Sequence, residues 1–515
     1  MLLQKPNLIL LTNTRGSVWQ RSIGAYQVAH HCRQHGFTVQ VIDFTDFFSE
    51  EELIDVVSKL LSNNLLAIGI STTFYSKQDD TNPLLAKNAG SNLRGSADID
   101  GKISNLFKYV KQHNPNVKII AGGANSWQLE SNDLFDAVFH GYSEESVASY
   151  LKDARDKKRT RLHLKKNSID IINGDLEIFN IELLEHRWLP EDIVLHNETL
   201  PIEIGRGCIF KCKFCSYPLN GKQKLDYIRD YSKIVEEMEY NYAMFGTTNY
   251  FFTDDTFNDS TEKIESLHKV FISLSFKINF VCYLRADLMY RFPKQIQLLK
   301  EMGLSSVVLG IESLHQGAAK SVGKGMNVEK MKQFLLDLYY KHWEETVSIT
   351  CSMIIGLPGE DEEHVRSAFN WFRTEGKDLC DSWWPLTIST EGHYLSQFDK
   401  EHKKFQYDLS QGEPWVSPIM KYSDAYRLSQ EFNSIGMNHN NHPGSWMIMA
   451  LRSYGYSQEE LMNWQVKDMP WRALLKKRIR MSQEYKESLN SVLIQLDSTT
   501  CDNSPLLNNE VMIVR

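Results

Sequence analysis

The sequence has no long hydrophobic run, and no stretch of its 515 residues approaches the ~18 consecutive apolar residues that span a bilayer. We therefore expect no transmembrane helix. The first residues, MLLQKPNLILLTNTRG, combine one lysine and a short apolar run with no small-residue cleavage site. This pattern is not that of a signal peptide, so we expect a cytoplasmic protein.

Cysteine and positive charge are also in short supply. Eight cysteines are too few for a disulfide scaffold in a chain of this length, which leaves thiols or metal ligands as their roles. The 57 Lys and Arg residues are outnumbered by 65 Asp and Glu, and the net charge of −8 gives nucleic acid no overall footprint. With 42% hydrophobic and 24% charged residues, the composition is that of a globular protein of roughly three domains.

Residues 1–165 alternate short apolar runs with helical periodicity, which predicts an α/β domain with a doubly wound parallel sheet. Ligands of such Rossmann-like sheets lie beyond the carboxyl ends of the strands. The predicted strands are 7–12, 37–43, 65–71, 117–121 and 137–141, and the predicted helices are 23–35, 51–62 and a third that begins after Ser143.

A dense basic run at 153–166 follows, and we interpret it as a solvated linker rather than an RNA-binding arm, because charge runs usually mark exposed segments. The predicted linker continues over 166–200. A second alternation over 201–395 predicts a partial (β/α)6 barrel, whose site would lie at the carboxyl ends of its strands. Its predicted strands are 202–205, 249–253, 279–284, 306–310, 349–355 and 384–389.

Residues 396–515 show helical periodicity and end in a polar tail. We expect this helical region to close over the substrate. Its segment 437–444 contains two histidines, His439 and His442, and we favour a polar turn there over a paired-histidine metal site.

Three cysteines follow the first strand of the predicted barrel with the spacing Cys-x3-Cys-x2-Cys: Cys208, Cys212 and Cys215. Three thiolates on one loop, without a fourth Cys or His at zinc-like spacing, fit an iron–sulfur cubane in which one iron lacks a protein ligand. A small molecule with an amine and a carboxylate could chelate that iron. A zinc site with a distant fourth ligand is the alternative. Cys282 and Cys351 lie in apolar strands and are predicted as core residues.

This loop resembles that of the radical S-adenosylmethionine (SAM) superfamily, and four later segments resemble the superfamily's motifs in order. They are FFTDDTF at 251–257, CYLRAD at 282–287, LGIES at 309–313 and MIIGLPGE at 353–360. The resemblance implies a [4Fe-4S] cluster and reductive cleavage of SAM to a 5′-deoxyadenosyl radical. It implies catalytic roles for Arg285, Asp254 and Glu312, and SAM contacts from these three and from Phe214, Ser313, Gly356 and Gly359. N-capping of the next helix is the alternative role for Asp254 and Asp255.

A Rossmann-like, flavodoxin-like domain before this barrel resembles the cobalamin-binding branch of the superfamily. The resemblance implies cobalamin at the loops after the strands, with contacts from Thr14, Arg15, Gly16, Thr72, Thr73, Gly122, Gly123 and Gly141. The branch's Asp-x-His-x-x-Gly motif is absent from the first loop. A domain that only shapes the substrate cleft is the alternative.

The resemblance to this branch implies methylation of an unactivated carbon in a small-molecule or peptide substrate, with electrons from a flavodoxin- or ferredoxin-type reductant. The alternatives are a radical rearrangement, cyclisation or oxidation without methyl transfer, and a non-catalytic iron–sulfur sensor or scaffold. Methylthiolation of tRNA is disfavoured, because the region before the predicted barrel contains only Cys32 and cannot hold a second cluster, and because no basic C-terminal β-module is apparent.

Overall fold

The computed structural model describes residues 4–13, 20–73, 99–158, 164–166, 168–436, 445–463 and 469–501. Its strands are β1 (Leu8–Leu11), β2 (Val39–Ile42), β3 (Ala67–Ser71), β4 (Lys118–Gly122), β5 (Ala137–His140), β6 (Leu164–Lys166), β7 (Ile169–Asn173), β8 (Leu200–Ile202), β9 (Asn249–Phe252), β10 (Asn279–Leu284), β11 (Leu304–Glu312), β12 (Ser348–Ile355) and β13 (Cys380–Pro385).

The α-helices alternate with these strands and dominate the C-terminal part of the chain. They are α1 (Ile23–Gln34), α2 (Glu50–Leu60), α3 (Gly101–His113), α4 (Glu144–Arg155), α5 (Tyr231–Phe245), α6 (Thr261–Ile272), α7 (Ala286–Arg291), α8 (Lys294–Glu301), α9 (Gln316–Ser321), α10 (Val328–Asp337), α11 (Glu362–Arg373), α12 (Gln397–Glu401), α13 (Tyr422–Gly436), α14 (Ser445–Ser453), α15 (Gln458–Met462) and α16 (Met469–Cys501). None of these described helices is both long and apolar enough to cross a membrane.

The first sheet has the strand order β2-β1-β3-β4-β5-β7-β6 and is parallel except for the β6–β7 pair. Strand β1, which pairs with β2 and β3, is an uninterrupted run of four buried apolar residues, as expected for a strand covered by helices on both faces. The order 2-1-3-4-5 is that of flavodoxin-like sheets, so the predicted Rossmann-like α/β domain is confirmed.

Strands β6 and β7 extend the first sheet into the stretch predicted as a basic run and linker. Only Ile169 and Ile172 of the β7 segment IDIIN are buried, and they belong to two different hydrophobic clusters. A strand this short, with only two buried residues and many charged neighbours, has no clear apolar pattern in the sequence and was therefore not predicted. The helix α3 was not predicted either, although Asp100 caps it by accepting a hydrogen bond from the amide of Ile103 at 2.9 Å.

The second sheet contains six parallel strands in sequential order from β8 to β13, which is the arrangement of a partial βα barrel. Its last strand begins at Cys380 rather than at the predicted residue 384. The prediction was wrong because Asp381 reads as a loop residue, whereas its carboxylate accepts hydrogen bonds from Arg373 and from the Trp383 indole.

The C-terminal region is helical as predicted, but α14 does not close over the carboxyl ends of the barrel strands. Arg452 on α14 donates to the carbonyls of Ser305 (3.1 Å) and Thr346 (2.9 Å), which lie at the amino ends of β11 and β12. Met449 packs with Phe251 and Val281. The helix therefore covers the end of the barrel opposite the predicted site. It lies there because its apolar side chains pack against the apolar side chains of the barrel strands.

Candidate active site

The carboxyl ends of the strands of the first sheet lie opposite the carboxyl ends of the strands of the second sheet. Arg206, which follows β8, forms an ion pair with Glu144, which follows β5. His393, which follows β13, forms a second ion pair with Asp175, which follows β7, at 2.7 Å. These contacts place the loops predicted to bind ligands in both domains around one shared edge.

The cysteine loop begins directly after this contact. Gly207 has a φ of +72° and lies so close to Leu219 that a Cβ would overlap it, so glycine is needed at the start of the loop. The Cys208 amide donates to the Leu219 carbonyl at 3.3 Å, which turns the chain back on itself. Phe214 is partly buried and packs against the hydrophobic core.

Each cysteine sulfur has a polar neighbour from another part of the fold. The sulfur of Cys208 lies 3.3 Å from the Thr256 hydroxyl. Arg285 Nη1 donates to the sulfur of Cys212 at 3.4 Å, and Asn220 Nδ2 donates to that of Cys215 at 3.2 Å. Burial raises the pKa of the Cys208 thiol, and it raises the pKa of Cys215 to about 11. Without a metal, these buried thiols are therefore protonated at neutral pH.

The donor set fits an iron–sulfur cluster better than a single zinc ion. Within the described residues, the cysteine sulfurs do not form a group whose ligand atoms all lie within 4.8 Å of one another. A tetrahedral zinc ion with Zn–S bonds of about 2.3 Å would bring its sulfurs to about 3.8 Å. The wider spread of three thiols suits a multi-iron cluster.

Arg285 lies at the carboxyl end of β10, above the cysteine loop. Its guanidinium stacks on the Phe210 ring at 3.8 Å and binds both carboxylate oxygens of Asp287, at 3.0 and 2.6 Å. Burial opposes its charge, but the Asp287 carboxylate outweighs burial and raises the pKa of Arg285. The side chain is thus held as a fixed cation beside the Cys212 sulfur.

Glu312 ends β11 in a left-handed conformation with a φ of 70°, which is rare for a residue with a side chain. The register with β12 shifts between Gly310 and Glu312, so the strand is irregular at this point. The buried Glu312 carboxylate lies 3.3 Å from Lys324 Nζ, which also donates to the Gly310 carbonyl at 2.7 Å. Burial raises the pKa of Glu312 and the lysine opposes this rise.

Ser313 and the loop after β12 form the next contact. The Ser313 hydroxyl donates to Glu360 at 2.5 Å, and burial raises the pKa of Glu360 to about 8. Gly356 has a φ of +99°, and a Cβ there would lie 2.5 Å from the Trp415 ring, whereas Gly359, with a φ of +81°, has nothing within 4 Å of a Cβ. Gly356 is therefore required by Trp415, and the backbone at Gly359 is open.

The adjacent carboxylates Asp254 and Asp255 have different surroundings. Asp254 is buried and accepts hydrogen bonds from the Ile204 amide at 3.0 Å and from Lys263 Nζ at 2.9 Å, so it joins β8 to β9 and α6. Burial, followed by repulsion from Asp254, raises the pKa of Asp255 to about 7. Asp255 acts electrostatically on Cys208 and Cys215 and is the carboxylate beside the cysteine loop. Neither caps α6, whose N-cap is Ser260.

The site also includes side chains that the sequence analysis did not select. These residues are Thr256, Asn220, Lys324 and Asp287. Thr256 and Asp287 stand inside the motifs already quoted and could have been found there. Lys324 and Asn220 lie outside the motifs, and no signal in the sequence joins them to the site.

The predicted ligand loops of the first domain come together at one edge. Thr72 donates through its hydroxyl to the Gly122 carbonyl at 2.8 Å, and the Ala124 amide donates to the Thr73 hydroxyl at 3.3 Å. Gly123 has a φ of +98°, and a Cβ there would lie 2.7 Å from the Thr73 amide nitrogen. The predicted contacts Thr14, Arg15 and Gly16, and the histidines His439 and His442, lie outside the described residues.

Several buried polar atoms without a hydrogen-bond partner lie at this shared edge. Gly141 has a φ of +71° and leaves no room for a Cβ beside Asp175, whose Oδ1 atom is one of these unpartnered atoms. The others at this edge are Asn125 Oδ1, Glu144 Oε2 and Arg206 Nη1. Such atoms are costly to bury unpaired, so the edge fits a large polar ligand with amide groups, as the corrin of cobalamin has.

Comparisons with known proteins agree with this geometry. Residues 202–372 match the model of the family described as the Radical SAM superfamily, while no curated protein matches the chain. A structure of the radical SAM methyltransferase TsrM from Kitasatospora setae, with tryptophan substrate and the analogue aza-SAM bound, is 15% identical, covers 93% of this chain and 99% of its own, and gives a TM-score of 0.61.

A structure of OxsB, a cobalamin-dependent SAM radical enzyme with aqua-cobalamin bound, is 13% identical, covers 96% of this chain and 84% of its own, and gives a TM-score of 0.56. At these identities the likeness to both structures concerns the fold. The chain shares that fold over nearly its whole length, and residues 202–372 form a radical SAM domain.

Proposed function

We propose that this radical SAM protein is a cobalamin-dependent enzyme that methylates an unactivated carbon of a small-molecule or peptide substrate. The observation that carries the proposal is the shared edge, where the cysteine loop faces the ligand loops of a flavodoxin-like domain through the Arg206–Glu144 pair. When bound, the cluster supplies the electron that cleaves SAM to methionine and a 5′-deoxyadenosyl radical, and cobalamin supplies the methyl group.

Cys208, Cys212 and Cys215 hold the cluster in this proposal. The donors beside two of their sulfurs, Arg285 and Asn220, stabilise negative charge on the sulfurs. Hydrogen bonds to cluster sulfurs are one of the means by which a protein sets the cluster's reduction potential. The fixed cation of Arg285 would make the neighbouring metal centre easier to reduce.

The charged groups around the loop suit the amino acid end and the ribose of SAM. Glu312 offers a buried carboxylate to an ammonium or to ribose hydroxyls, and Lys324 holds it in place. Asp255 offers a second carboxylate, and no side chain or amide in the described part of the chain donates a hydrogen bond to it. Ser313 has a hydroxyl near the same strand end, and the open backbone at Gly359 admits a flat ring.

The first domain would hold cobalamin at Thr72, Thr73, Gly122, Gly123 and Gly141, with Thr14, Arg15 and Gly16 as further proposed contacts. The unpartnered oxygens of Asn125 and Asp175 would accept hydrogen bonds from amide groups of the corrin. The solved structures support the proposal through their fold, because TsrM is a methyltransferase and OxsB binds cobalamin.

The test starts with anaerobic reconstitution of the protein with iron and sulfide. We expect a brown protein with about four irons per chain, as a [4Fe-4S] cluster requires, and release of 5′-deoxyadenosine from SAM after reduction by flavodoxin or ferredoxin. A colourless, iron-free protein, or full zinc occupancy of the loop, would overturn the cluster assignment.

Methyl transfer is tested separately by hydroxocobalamin uptake and by product mass. We expect a visible cobalamin spectrum on the purified protein and a product heavier than the substrate by one CH2. Uptake without this mass change indicates a radical reaction of another kind. Failure to release 5′-deoxyadenosine with any candidate substrate indicates a cluster-bearing sensor or scaffold.

A further inference from the structure

A group of metal-ligating side chains lies between α1 and α4, apart from the cysteine loop. His31 is on α1 and His35 follows one helical turn later at its C-terminal end, so both imidazoles are on one face. Glu145 is in the first turn of α4. One ligand atom from each residue can be chosen such that all three lie within 4.8 Å of one another.

The contacts within the group bring these side chains close together. His31 Nε2 lies 2.9 Å from Glu145 Oε2, and the two imidazole rings are 4.4 Å apart between centroids. Two histidines at positions i and i+4 of a helix with a glutamate is a donor set that zinc accepts in proteins. Imidazole donors favour zinc over magnesium or calcium, which prefer oxygen ligands.

A second set of hydrogen bonds holds two of the ligands. His35 Nδ1 lies 2.9 Å from the carbonyl oxygen of His31, and because a carbonyl only accepts, Nδ1 carries the proton and Nε2 keeps its lone pair. The Ser149 hydroxyl donates to Glu145 Oε1 at 3.0 Å. Such outer contacts fix the tautomer and orientation of metal ligands. Glu145 Oε2, in contrast, contacts His31 Nε2. An ion between these two atoms would replace that contact, and the proton of His31 Nε2 would be released to solvent.

The group is open to solvent on one side, which gives an ion access and leaves a position for water. The Glu145 side chain is 54% exposed, while His31 is almost fully buried against the edge of Phe179, with ring centroids 5.1 Å apart. We propose that His31, His35 and Glu145 bind one Zn²⁺ ion, with His35 contributing Nε2, and that the ion joins α1 to α4.

The position of this zinc site gives it a role in holding the two domains together. Gln27 on α1 donates to Glu203 at 2.7 Å, and Glu144 on α4 pairs with Arg206. Both partners precede the cysteine loop. An ion that fixes α1 against α4 would therefore stabilise the two helices that contact the barrel, without taking part in its chemistry.

The test uses the reconstituted protein with its cluster intact, cleared of loose metal by a brief chelator wash, and Zn²⁺ in competition with a chromophoric chelator. We expect one further equivalent of Zn²⁺ with no loss of cluster absorbance, and a rise in Tm on zinc addition. His35→Gln and Glu145→Gln should each weaken zinc binding at least ~10-fold. Loss of a residue that only orients a metal ligand already weakens binding by about 10–100-fold, and loss of a ligand itself should cost no less.

His113→Gln is the matched control. His113 also ends a helix, α3, is exposed, and has its Nδ1 atom 2.9 Å from a carbonyl, that of Tyr109. This variant should bind zinc as the parent does. The proposal is overturned if the parent takes up no equivalent, if His35→Gln binds as tightly as the parent, or if His113→Gln weakens binding equally. Loss of cluster absorbance on zinc addition would place the ion in the cysteine loop and would also overturn it.

Discussion

Replacing Arg206 by methionine tests whether the polar contact between the domains holds the site together. The Arg206 side chain is 1% exposed and forms an ion pair with Glu144, which is 4% exposed. Arg206 also donates to Glu203 at 3.1 and 3.2 Å and to Gln27 at 3.4 Å, and its guanidinium lies over the Tyr142 ring at 4.3 Å. Arg206→Met would leave Glu144 as a buried carboxylate without its cation.

Removing one partner of a buried ion pair costs about 3–5 kcal/mol. For a cooperative unit of 150–250 residues, each kcal/mol lowers Tm by about 2–4 °C, so we expect a fall of about 6–20 °C. The assay is thermal unfolding followed by circular dichroism at pH 7, with iron content measured on the same preparation.

Arg366→Met is the matched control, because Arg366 also binds two glutamates but is 38% exposed. Exposed pairs contribute about 1 kcal/mol or less, so its Tm should fall by no more than about 4 °C. Adding Glu144→Gln to Arg206→Met should recover part of the loss, since the most deeply buried carboxylate of the group is then uncharged. Equal Tm values for the two arginine variants, or no recovery in the double variant, would refute the reasoning.

Three further predictions concern the site itself. Cys212→Ala should abolish iron binding after reconstitution, whereas the control Cys282→Ala, which removes a fully buried thiol in β10, should keep the iron. Iron analysis and visible absorbance measure the difference between the two variants. Retained iron in Cys212→Ala would contradict the assignment of the cluster to this loop. Glu360 has its pKa raised to about 8 by burial, so its ionisation destabilises the fold as pH rises from its ordinary value of about 4.3 toward 8. Glu360→Gln should therefore match the parent's Tm near pH 4 and exceed it at pH 8.5, and a constant difference across this range would argue against a buried neutral acid. Asp254→Asn leaves the buried Lys263 with Asp259, 3.4 Å away, as its remaining ion-pair partner, and it should lower the free energy of unfolding measured in urea by about 2 kcal/mol, the contribution of a hydrogen bond to a charged group. An unchanged value would show that the Asp254–Lys263 pair is not structural.

The sequence predicted strands best where an apolar run is bounded by turn residues. Strand β10 was predicted at 279–284 and is Asn279–Leu284, and all its apolar residues except Tyr283 are buried. Strand β13 was misplaced because Asp381 depends on Arg373 for its burial, and a long-range partner leaves no local pattern. Helix α14 had the right periodicity, but nothing in its sequence tells which end of a barrel it plugs.

The three cysteines were selected from their spacing, since the proposed cluster loop is local in the chain. Which of Asp254 and Asp255 is free to bind a ligand could not be predicted from the local sequence. Successive residues point to opposite sides at the end of a strand, and the side that meets Lys263 and the Ile204 amide is fixed only when β8 and α6 are in place. The tertiary fold therefore decides which carboxylate is free for a ligand.

The two domains are joined by an apolar contact on one side and by polar groups on the other, and this division favours ligand binding at the shared edge. Trp188 is fully buried in a hydrophobic cluster that contains residues of both sheets, and its ring lies 4.4 Å from that of Tyr26. Dense packing of this kind sets the orientation of the domains without any ligand. Because this packing fixes the domains, the polar atoms at the edge cannot move to find partners within the protein. A ligand that donates hydrogen bonds to Asp175 and Asn125 therefore recovers the free energy of those missing hydrogen bonds.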